Sequence, residues 1–369
     1  MNSSTLIYDR DLNPENTSLE IEGISNRPES EDSLYAYYAV YLASVTVVGI
    51  SGNIFVIAAF FKEKQIRTPM NMILLNLSIS DLGMVTLGSS MSFVNALLKK
   101  WAFSQELCYL YALIMALCGI SSITTLAVLA LWRSIVVAMT LGKKWSMSFR
   151  QSSGTIIFIW VYSTGVTIPP VFGWGKFGEE YGGLSCSVIW KEKNSFSQYY
   201  VIYLFSFGLL LPLAVIVLSY SIILTAVNKK TNLHRSKLQT RITVMIGLMV
   251  ASFLFTWSPY AIVALLETFG NGSHLQLYPS LVTVPSLFAK SSGLLNPFIY
   301  GCLNTQFQMA WRKILGLEQI HQPVTSKIDM SIPNCREANS RQISSVDGKL
   351  DESTNVNLDM IVFREVNIL

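Results

Sequence analysis

Hydrophobic residues in this chain are gathered into long stretches that are separated by shorter polar segments. About 20 consecutive and mainly apolar residues are needed for a helix to cross the hydrocarbon core of a bilayer. Stretches of that length occupy residues 34–61, 71–98, 107–132, 151–175, 195–228, 242–266 and 275–303. The pattern predicts an all-α membrane protein, in which seven transmembrane helices form a bundle.

The polar segments between these stretches differ in charge. Three of them carry the basic residues Lys62, Lys64, Arg67, Lys143, Lys144, Arg150, Lys229, Lys230, Arg235, Lys237 and Arg241. Basic loops remain on the cytoplasmic side of a membrane. The first segment is acidic, which suits the outer side, although Lys99 and Lys100 are a local exception there. We therefore expect a multi-pass protein of the plasma membrane with an extracellular N-terminus.

Composition agrees with this topology and narrows the function. Hydrophobic residues make up 51% of the chain and charged residues 14%, and the mean hydropathy is +0.42. Within the seven stretches, the residues that carry a full charge are Asp81 and Lys290. The net charge of +4 follows from the loops, and no basic motif supports nucleic-acid binding. Asp81 has no partner acid or base, and we expect neither catalytic residues nor a metal site.

The chain divides into four segments. We expect residues 1–33 to form an extracellular tail and residues 34–303 to form the bundle. The tail has no continuous apolar core of the kind found in a signal peptide, so the first helix is expected to act as an uncleaved anchor. Glycosylation sequons in that tail begin at Asn2 and Asn16. Residues 304–316 have the pattern of an amphipathic helix on the membrane surface, and residues 317–369 that of a disordered cytoplasmic tail.

Two of the five cysteines are placed to pair with each other. Cys108 lies at the outer end of the third stretch, and Cys186 lies in the outer loop that follows the fourth. A bridge between them would hold that loop over the bundle. We expect Cys118 and Cys302 to be small buried apolar residues and Cys335 to be a thiol in the tail.

Lys290 lies in the middle of an apolar stretch, residues 278–300. A lysine near the centre of a bilayer costs about 2.5–3.5 kcal/mol on insertion scales. Its side chain cannot reach either interface, because roughly a dozen residues at about 1.5 Å rise separate it from each. Burial disfavours the ammonium, and a neutral amine can condense with an aldehyde to form a Schiff base. The alternative is a structural or ion-path lysine that is paired with a buried carboxylate.

Several motifs together resemble the rhodopsin-like G-protein-coupled receptors. They are Gly52-Asn53, Leu75-Asn76-Leu77 with Asp81, the two outer cysteines, Trp160, Pro212, Thr256-Trp257-Ser258-Pro259 and Asn296-Pro297-Phe298-Ile299-Tyr300. Within that class, Phe288-Ala289-Lys290-Ser291-Ser292 resembles the retinal attachment segment of opsins. The resemblance covers residues 35 to about 315. It implies retinal bound as a protonated Schiff base on Lys290, in a non-visual opsin nearest to the neuropsin-like or peropsin-like groups.

A protonated Schiff base needs a carboxylate as its counterion, and opsins place one at either of two positions. The first is Tyr111 in this chain, so the acid is absent there. The second is Glu180, which at about 4 Å and an effective dielectric near 20 would contribute roughly 4 kcal/mol. Glu179 is an adjacent competitor, and the alternative is that both are solvated loop charges. We expect no other acid from a helix near the outer end of the Lys290 pocket.

The resemblance also implies a route by which retinal would act on the protein. Trp257 and Tyr260 border the retinal ring in opsins, although apolar packing is the usual role of single aromatic residues in a bundle. Pro259 removes a backbone donor and allows the helix to bend. Asp81 is expected to join a polar network with Asn53 and Asn296.

At the cytoplasmic end the chain departs from the family. Trp132 precedes Arg133 where the family has an acid, and Gln239 replaces a second acid. Either the inactive state of the receptor is held weakly, or signalling has been lost and the protein performs photochemistry, as retinal photoisomerases do. The Asn304-Thr305-Gln306 tripeptide and Phe307 resemble G-protein-coupling opsins instead. The residues expected to take part in coupling are Arg133, Tyr300, Asn304 and Gln306.

The expected function is therefore that of a light-activated receptor for a heterotrimeric G protein. Arrestin and a receptor kinase would act at the tail, and membrane lipids would surround the bundle. A retinal photoisomerase of the peropsin or retinochrome type is the alternative function. An ordinary ligand-gated receptor of the same fold is disfavoured by Lys290.

Overall fold

A computed structural model of the chain describes residues 29–139, 147–191, 194–229, 237–270 and 280–316, without the side chains of 29–31, 227–229 and 237–239. The predicted bundle of seven helices is present in this part of the chain. The helices are α1 (Glu29–Lys62), α2 (Pro69–Leu98), α3 (Gln105–Met139), α4 (Phe149–Thr167), α5 (195–229), α6 (Lys237–Phe269) and α7 (280–303). A shorter helix, α8 (Thr305–Ile314), follows them.

Most helix boundaries lie within a few residues of the predicted ones, but α3 continues to Met139 although the predicted stretch ended at residue 132, and the end of α4 was predicted too late. The sequence predicted a helix to residue 175, whereas α4 ends at Thr167 and a single 3-10 turn, Pro169–Phe172, follows. Two consecutive prolines explain this, since each lacks a backbone donor and disfavours a helical residue before it. Helices α1, α2, α3, α5 and α6 are each long and apolar enough by themselves to span a membrane.

Three helices are locally irregular where they border the centre of the bundle. Helix α2 contains a π-helical turn at Met84–Ser89, and α5 contains another at Ser206–Leu210. Helix α7 is interrupted between its two parts, Ser280–Lys290 and Ser292–Leu303. Such irregular turns are frequent at functional sites, because they change the direction of side chains along the helix.

The loop after α4 folds back over the outer end of the bundle. Strands β1 (Phe177–Glu179) and β2 (Cys186–Val188) form an antiparallel pair, and Cys186 is joined to Cys108 of α3 with a Cα–Cα distance of 5.5 Å. Between the strands, Gly182 and Gly183 adopt φ angles of +86° and +64°, which glycine tolerates best. The disulfide and the turn together hold the loop over the bundle.

Polar groups occupy the middle of the bundle. The Asp81 carboxylate accepts hydrogen bonds from Asn296 Nδ2 at 2.7 Å and from Ser122 Oγ at 3.1 Å. Asn53 Nδ2 donates to the carbonyl of Gly293 at 2.7 Å, so Asn53 contacts the same part of α7 through the backbone. The expected network of Asp81 and Asn296 is present, and Asn53 adjoins it.

The two described free cysteines have different environments. Cys118 is buried, as the sequence predicted. Cys302 is exposed, and the expectation that it is buried was wrong. The same turn of α7 is covered on another face, where Tyr300 is fully buried, so the Cys302 side chain lies on the outward face of the helix.

Candidate functional site

A central cavity of about 390 Å³ lies between α3, α5, α6 and α7 beneath the outer loop. Most of its wall is apolar: Met84, Ala112, Met115, Ala116, Ile120, Ile123, Val188, Leu204, Phe205, Leu209, Leu213, Phe253, Leu254, Ala261, Ile262, Leu265 and Ala289. The polar side chains that line it include Lys290, Glu180, Ser286, Tyr111 and Tyr260. An apolar wall with a few convergent polar groups is typical of a small-molecule site.

Lys290 lies on the wall of the central cavity, at the end of the first part of α7. Its side chain is 5% exposed. Nζ donates a hydrogen bond to Ser286 Oγ at 3.0 Å and approaches the Ser286 carbonyl at 3.4 Å. The two residues are four positions apart and therefore lie on one face of the helix. The amine is thus held in the cavity by its own helix and lies far from the bulk solvent.

Glu180 follows β1 and reaches toward the same serine. Its carboxylate accepts hydrogen bonds from Ser286 Oγ at 2.5 Å, Ser185 Oγ at 2.5 Å and Tyr260 OH at 2.7 Å. Withdrawal from water alone would raise the pKa of the Glu180 carboxyl. The nearby Lys290 amine and the three hydroxyl donors outweigh this effect, so that pKa lies below its ordinary value. The acid is therefore held as a carboxylate.

Ser286 connects the amine and the acid. Its Oγ accepts from Lys290 Nζ and donates to Glu180 Oε2, so the three groups form one hydrogen-bonded chain. We call Lys290 and Glu180, joined in this way, the Lys290–Glu180 pair. Glu179 is exposed, and it does not take part in this arrangement. The alternative that Glu180 is a solvated loop charge is disfavoured, because three hydroxyls enclose its carboxylate.

Tyr111 lies on the α3 side of the central cavity. Its hydroxyl donates to the Gly88 carbonyl at 3.1 Å and is 3.0 Å from Ser92 Oγ. The carbonyl of Gly88 belongs to the π-helical turn of α2. Tyr111 thus joins α3 to α2 and presents its ring to the cavity.

The aromatic residues of α6 form another wall. The Trp257 ring lies 6.1 Å from the Tyr260 ring in an edge-on arrangement and 5.5 Å from the Phe253 ring in a stacked one. Trp257 Nε1 also donates to Ser292 Oγ of α7 at 3.0 Å. A Cβ atom added to Gly119 of α3 would lie 2.9 Å from the Trp257 ring. Trp257 is therefore packed tightly and also borders the cavity.

Sequence reasoning missed several residues of this site. Ser286 could have been found, because it precedes Lys290 by one helical turn. Ser185 could not, since its role depends on the fold of the loop. Glu267 at the outer end of α6 is buried near the loop and, with Glu180, lines a second cavity. The expectation that no helix offers a further acid near this end was therefore wrong.

At the cytoplasmic end, Arg133 contacts α6. The Arg133 side chain is 3% exposed, and its Nε donates to Thr243 Oγ1 at 2.7 Å. Tyr220 OH of α5 donates to the Thr243 carbonyl at 3.2 Å. Arg133 is therefore joined to α6 through a neutral hydroxyl. The side chain of Gln239 lies outside the described residues.

The other residues predicted for coupling pack around α8. Tyr300 is fully buried and stacks on Phe307 with ring centroids 5.9 Å apart. Asn304 caps α8 by accepting from the backbone of Gln306 and Phe307. Gln306 Oε1 accepts from Asn71 Nδ2 of α2 at 2.9 Å. These groups thus link α7, α8 and α2 on one side of the bundle.

Asn2 and Asn16, the predicted glycosylation sites, lie outside the described residues, as do residues 317–369 of the expected tail.

Comparisons with known proteins agree with this architecture. The family described as "7 transmembrane receptor (rhodopsin family)" matches residues 52–300. The chain is similar to the GQ-coupled rhodopsin of Mizuhopecten yessoensis, with 29% identity over 92% of this chain and 73% of that protein. It is also similar to the visual pigment-like receptor peropsin of Homo sapiens, with 30% identity over 80% of this chain and 89% of the relative.

Among solved structures, squid rhodopsin superimposes with a TM-score of 0.72 at 29% identity, covering 78% of this chain and 86% of that chain. The family match spans more than half of the chain and includes the helices that form the central cavity. The chain therefore belongs to the rhodopsin family of seven-transmembrane receptors and, within it, to the opsins of non-visual type.

Proposed function

We propose that this opsin is a light-activated receptor that holds retinal through the side-chain nitrogen of Lys290 and activates a heterotrimeric G protein. The observation that carries the proposal is the Lys290–Glu180 pair at the edge of the apolar central cavity. Retinal is an apolar polyene that ends in one aldehyde. An apolar cavity with one amine on its wall and one carboxylate beside that amine fits such a molecule.

When bound, retinal supplies the absorption of light and the change of shape that follows it. The chain supplies the rest of the site. Lys290 provides the nitrogen of attachment, and Glu180 stabilises a proton on that nitrogen because its charge is opposite. Ser185, Ser286 and Tyr260 hold the carboxylate in place by donating hydrogen bonds to it. The disulfide-linked loop shields the site from water.

The contacts of Trp257 support a path from the cavity to the middle of the bundle. Its indole donates to Ser292, which lies one turn before Asn296, and Asn296 contacts Asp81. Pro259 lies inside α6 two residues after Trp257, where the helix lacks one backbone donor. A displacement of Trp257 would therefore act both on the polar core and on the bend of α6.

The same helix reaches the cytoplasmic end, where Thr243 accepts from Arg133. A change in the bend of α6 would break that hydrogen bond and separate α6 from α3. Opening of the cytoplasmic ends is the kind of two-state change by which a receptor admits its partner. Arrestin and a receptor kinase are proposed to act on the tail, with the N-terminus outside the plasma membrane.

Borohydride reduction of the protein after incubation with retinal tests the attachment. We expect a covalent adduct in the wild type and in Lys191→Ala, because Lys191 lies in the outer loop and does not line the central cavity. We expect none in Lys290→Ala. An adduct of equal yield in Lys290→Ala would place the attachment elsewhere and overturn the proposal.

A second candidate function is that of a retinal photoisomerase. The observation that favours it is the contact of Arg133 with the neutral hydroxyl of Thr243, in a chain where Trp132 stands at the position at which the resemblance places an acid. Nucleotide exchange on purified G proteins, measured in darkness and after illumination, separates the two functions. Catalytic release of isomerised retinal without any exchange would favour the photoisomerase.

A further inference from the structure

A second cavity of about 220 Å³, which we call the outer cavity, lies on the extracellular side of the central one. Its lining includes Glu180, Ser187, Val188 and Trp190, and the same four residues also line the central cavity. The two cavities therefore adjoin along β2. Glu180 stands between them, with its carboxylate bonded to Ser286 on the side of Lys290.

Glu267 faces the outer cavity from the last turn of α6. The residue is 7% exposed, yet within the described residues its Oε1 has no hydrogen-bond partner. A buried carboxylate oxygen without a partner is costly, and such groups in proteins normally bind ordered water. The outer cavity carries polar side chains on its wall and is much larger than the roughly 10–15 Å³ that is needed to hold one water. Water in the outer cavity would satisfy Glu267 and also contact Glu180.

The other ionisable side chains on the outer wall of this cavity differ from Glu267, because each is either exposed or already hydrogen-bonded. Lys191 Nζ donates to the Tyr181 hydroxyl and lies 4.6 Å from the centre of that ring, and its charge also attracts the Glu267 carboxylate. Glu179 is exposed. From α7 the cavity is lined by Val282, which does not titrate. Among the described residues that line the outer cavity, Glu267 and Glu180 are therefore the two acids that are not exposed.

We propose that the outer cavity is a hydrated proton path between the extracellular solvent and the Lys290–Glu180 pair, with Glu267 as its proton-carrying residue. This inference rests on the proposed function for the role of the pair. In the outward direction, the nitrogen of Lys290 loses a proton to Glu180. Glu180 passes it through water to Glu267, which releases it to the solvent. One proton crosses in total, no electrons move, and reprotonation follows the reverse order.

The first test needs no retinal. A small, positively charged and membrane-impermeant methanethiosulfonate reagent is applied outside intact cells that express Glu267→Cys. The matched control is Thr268→Cys, because Thr268 is adjacent and equally buried at 8% exposure but lines neither cavity. We expect the thiol at 267 to react about tenfold faster or more, since access controls such reactions. Equal rates would overturn the proposal.

The second test uses the pigment formed with retinal. After a rapid change of pH outside the cell, the conversion between the visible and ultraviolet bands reports proton exchange at Lys290. We expect Glu267→Gln to slow this exchange by about tenfold or more, because a positioned acid or base accelerates proton transfer by at least that amount. Glu267→Asp should keep most of the rate. Glu106→Gln, which removes an exposed acid on the same side, should not change it.

A structural role for Glu267 would instead change the yield of pigment and the position of its band together. An unchanged exchange rate in Glu267→Gln would overturn the proposal even if the thiol test succeeds. If the wild type forms no pigment, the proposed function fails. The thiol test then decides alone whether solvent reaches the outer cavity.

Discussion

Replacing Glu180 by glutamine removes one charge from the Lys290–Glu180 pair and keeps the size of the side chain. Hydrogen bonds of 3.0 and 2.5 Å in series through Ser286 place Lys290 Nζ within 5.5 Å of Glu180 Oε2. At that separation and an effective dielectric constant near 20, opposite unit charges attract by about 3 kcal/mol. Losing this attraction would shift the pH at which the Lys290 nitrogen releases its proton by about two units.

The direction of this pH shift follows from the positive charge on the Lys290 nitrogen, which Glu180 stabilises. The carboxylate favours the protonated nitrogen, and protonated pigment absorbs visible light. Without the carboxylate, the visible band should therefore be lost at a pH about two units lower than in the wild type. Because the pKa of Glu180 lies below its ordinary value of 4.5, the attraction persists in mildly acidic solution and is lost only as pH falls through that lowered value.

Absorption spectra of the dark pigment, recorded across pH, provide the measurement. Glu179→Gln is the matched control, because it removes the same charge from the neighbouring residue, which is exposed. A soluble anion such as chloride should partly restore the visible band in Glu180→Gln. A spectrum and a titration of Glu180→Gln that match those of the wild type would refute the role of Glu180 as counterion. A larger change in Glu179→Gln than in Glu180→Gln would assign the charge to the neighbour.

Three further predictions concern α3 and α6. Thr243→Val removes the hydroxyl that accepts from Arg133, and since a hydrogen bond to a charged group contributes about 1.5–3 kcal/mol, dark nucleotide exchange should rise about tenfold or more. Trp132→Glu supplies the missing acid and should lower dark exchange with a nearly unchanged absorption spectrum; a higher dark rate would contradict this. Gly119→Ala places a Cβ atom 2.9 Å from the Trp257 ring and should cost about 1–3 kcal/mol of stability in thermal unfolding, with a shifted absorption band. An unshifted band and an unchanged melting temperature would show that the Trp257 ring moves aside without any loss of stability.

The helices were determined largely by the sequence. Apolar stretches of bilayer length specify helices, because backbone groups inside a membrane must be satisfied within the segment itself. The sequence predicted the helix boundaries less well where prolines or a local irregularity of the backbone end or interrupt a helix. Helix α4 ends before Pro169 rather than at residue 175, and α7 is interrupted just after Lys290. Both differences arise from the backbone of a few residues, which a hydropathy pattern does not register.

The sequence specified only part of the site around Lys290. Lys290 is conspicuous in the sequence because a charge in an apolar stretch needs an explanation, and Glu180 was inferred from the resemblance to opsins. Ser286 could have been found from helical spacing. The sequence could not select Glu180 over Glu179, since adjacent residues of a loop point in directions that only its fold determines. In the structure one is enclosed by hydroxyls and the other is exposed.

The tertiary structure alone decided which distant residues meet. Glu267 was not singled out in the sequence, but in the fold it is buried beside the outer loop and lines the outer cavity. Arg133 had lost its usual acidic partners in the sequence, and packing of α6 against α3 gives it Thr243 instead. The sequence by itself determines elements whose signal is local and periodic. Contacts between elements depend on how helices pack, and no local pattern encodes that arrangement.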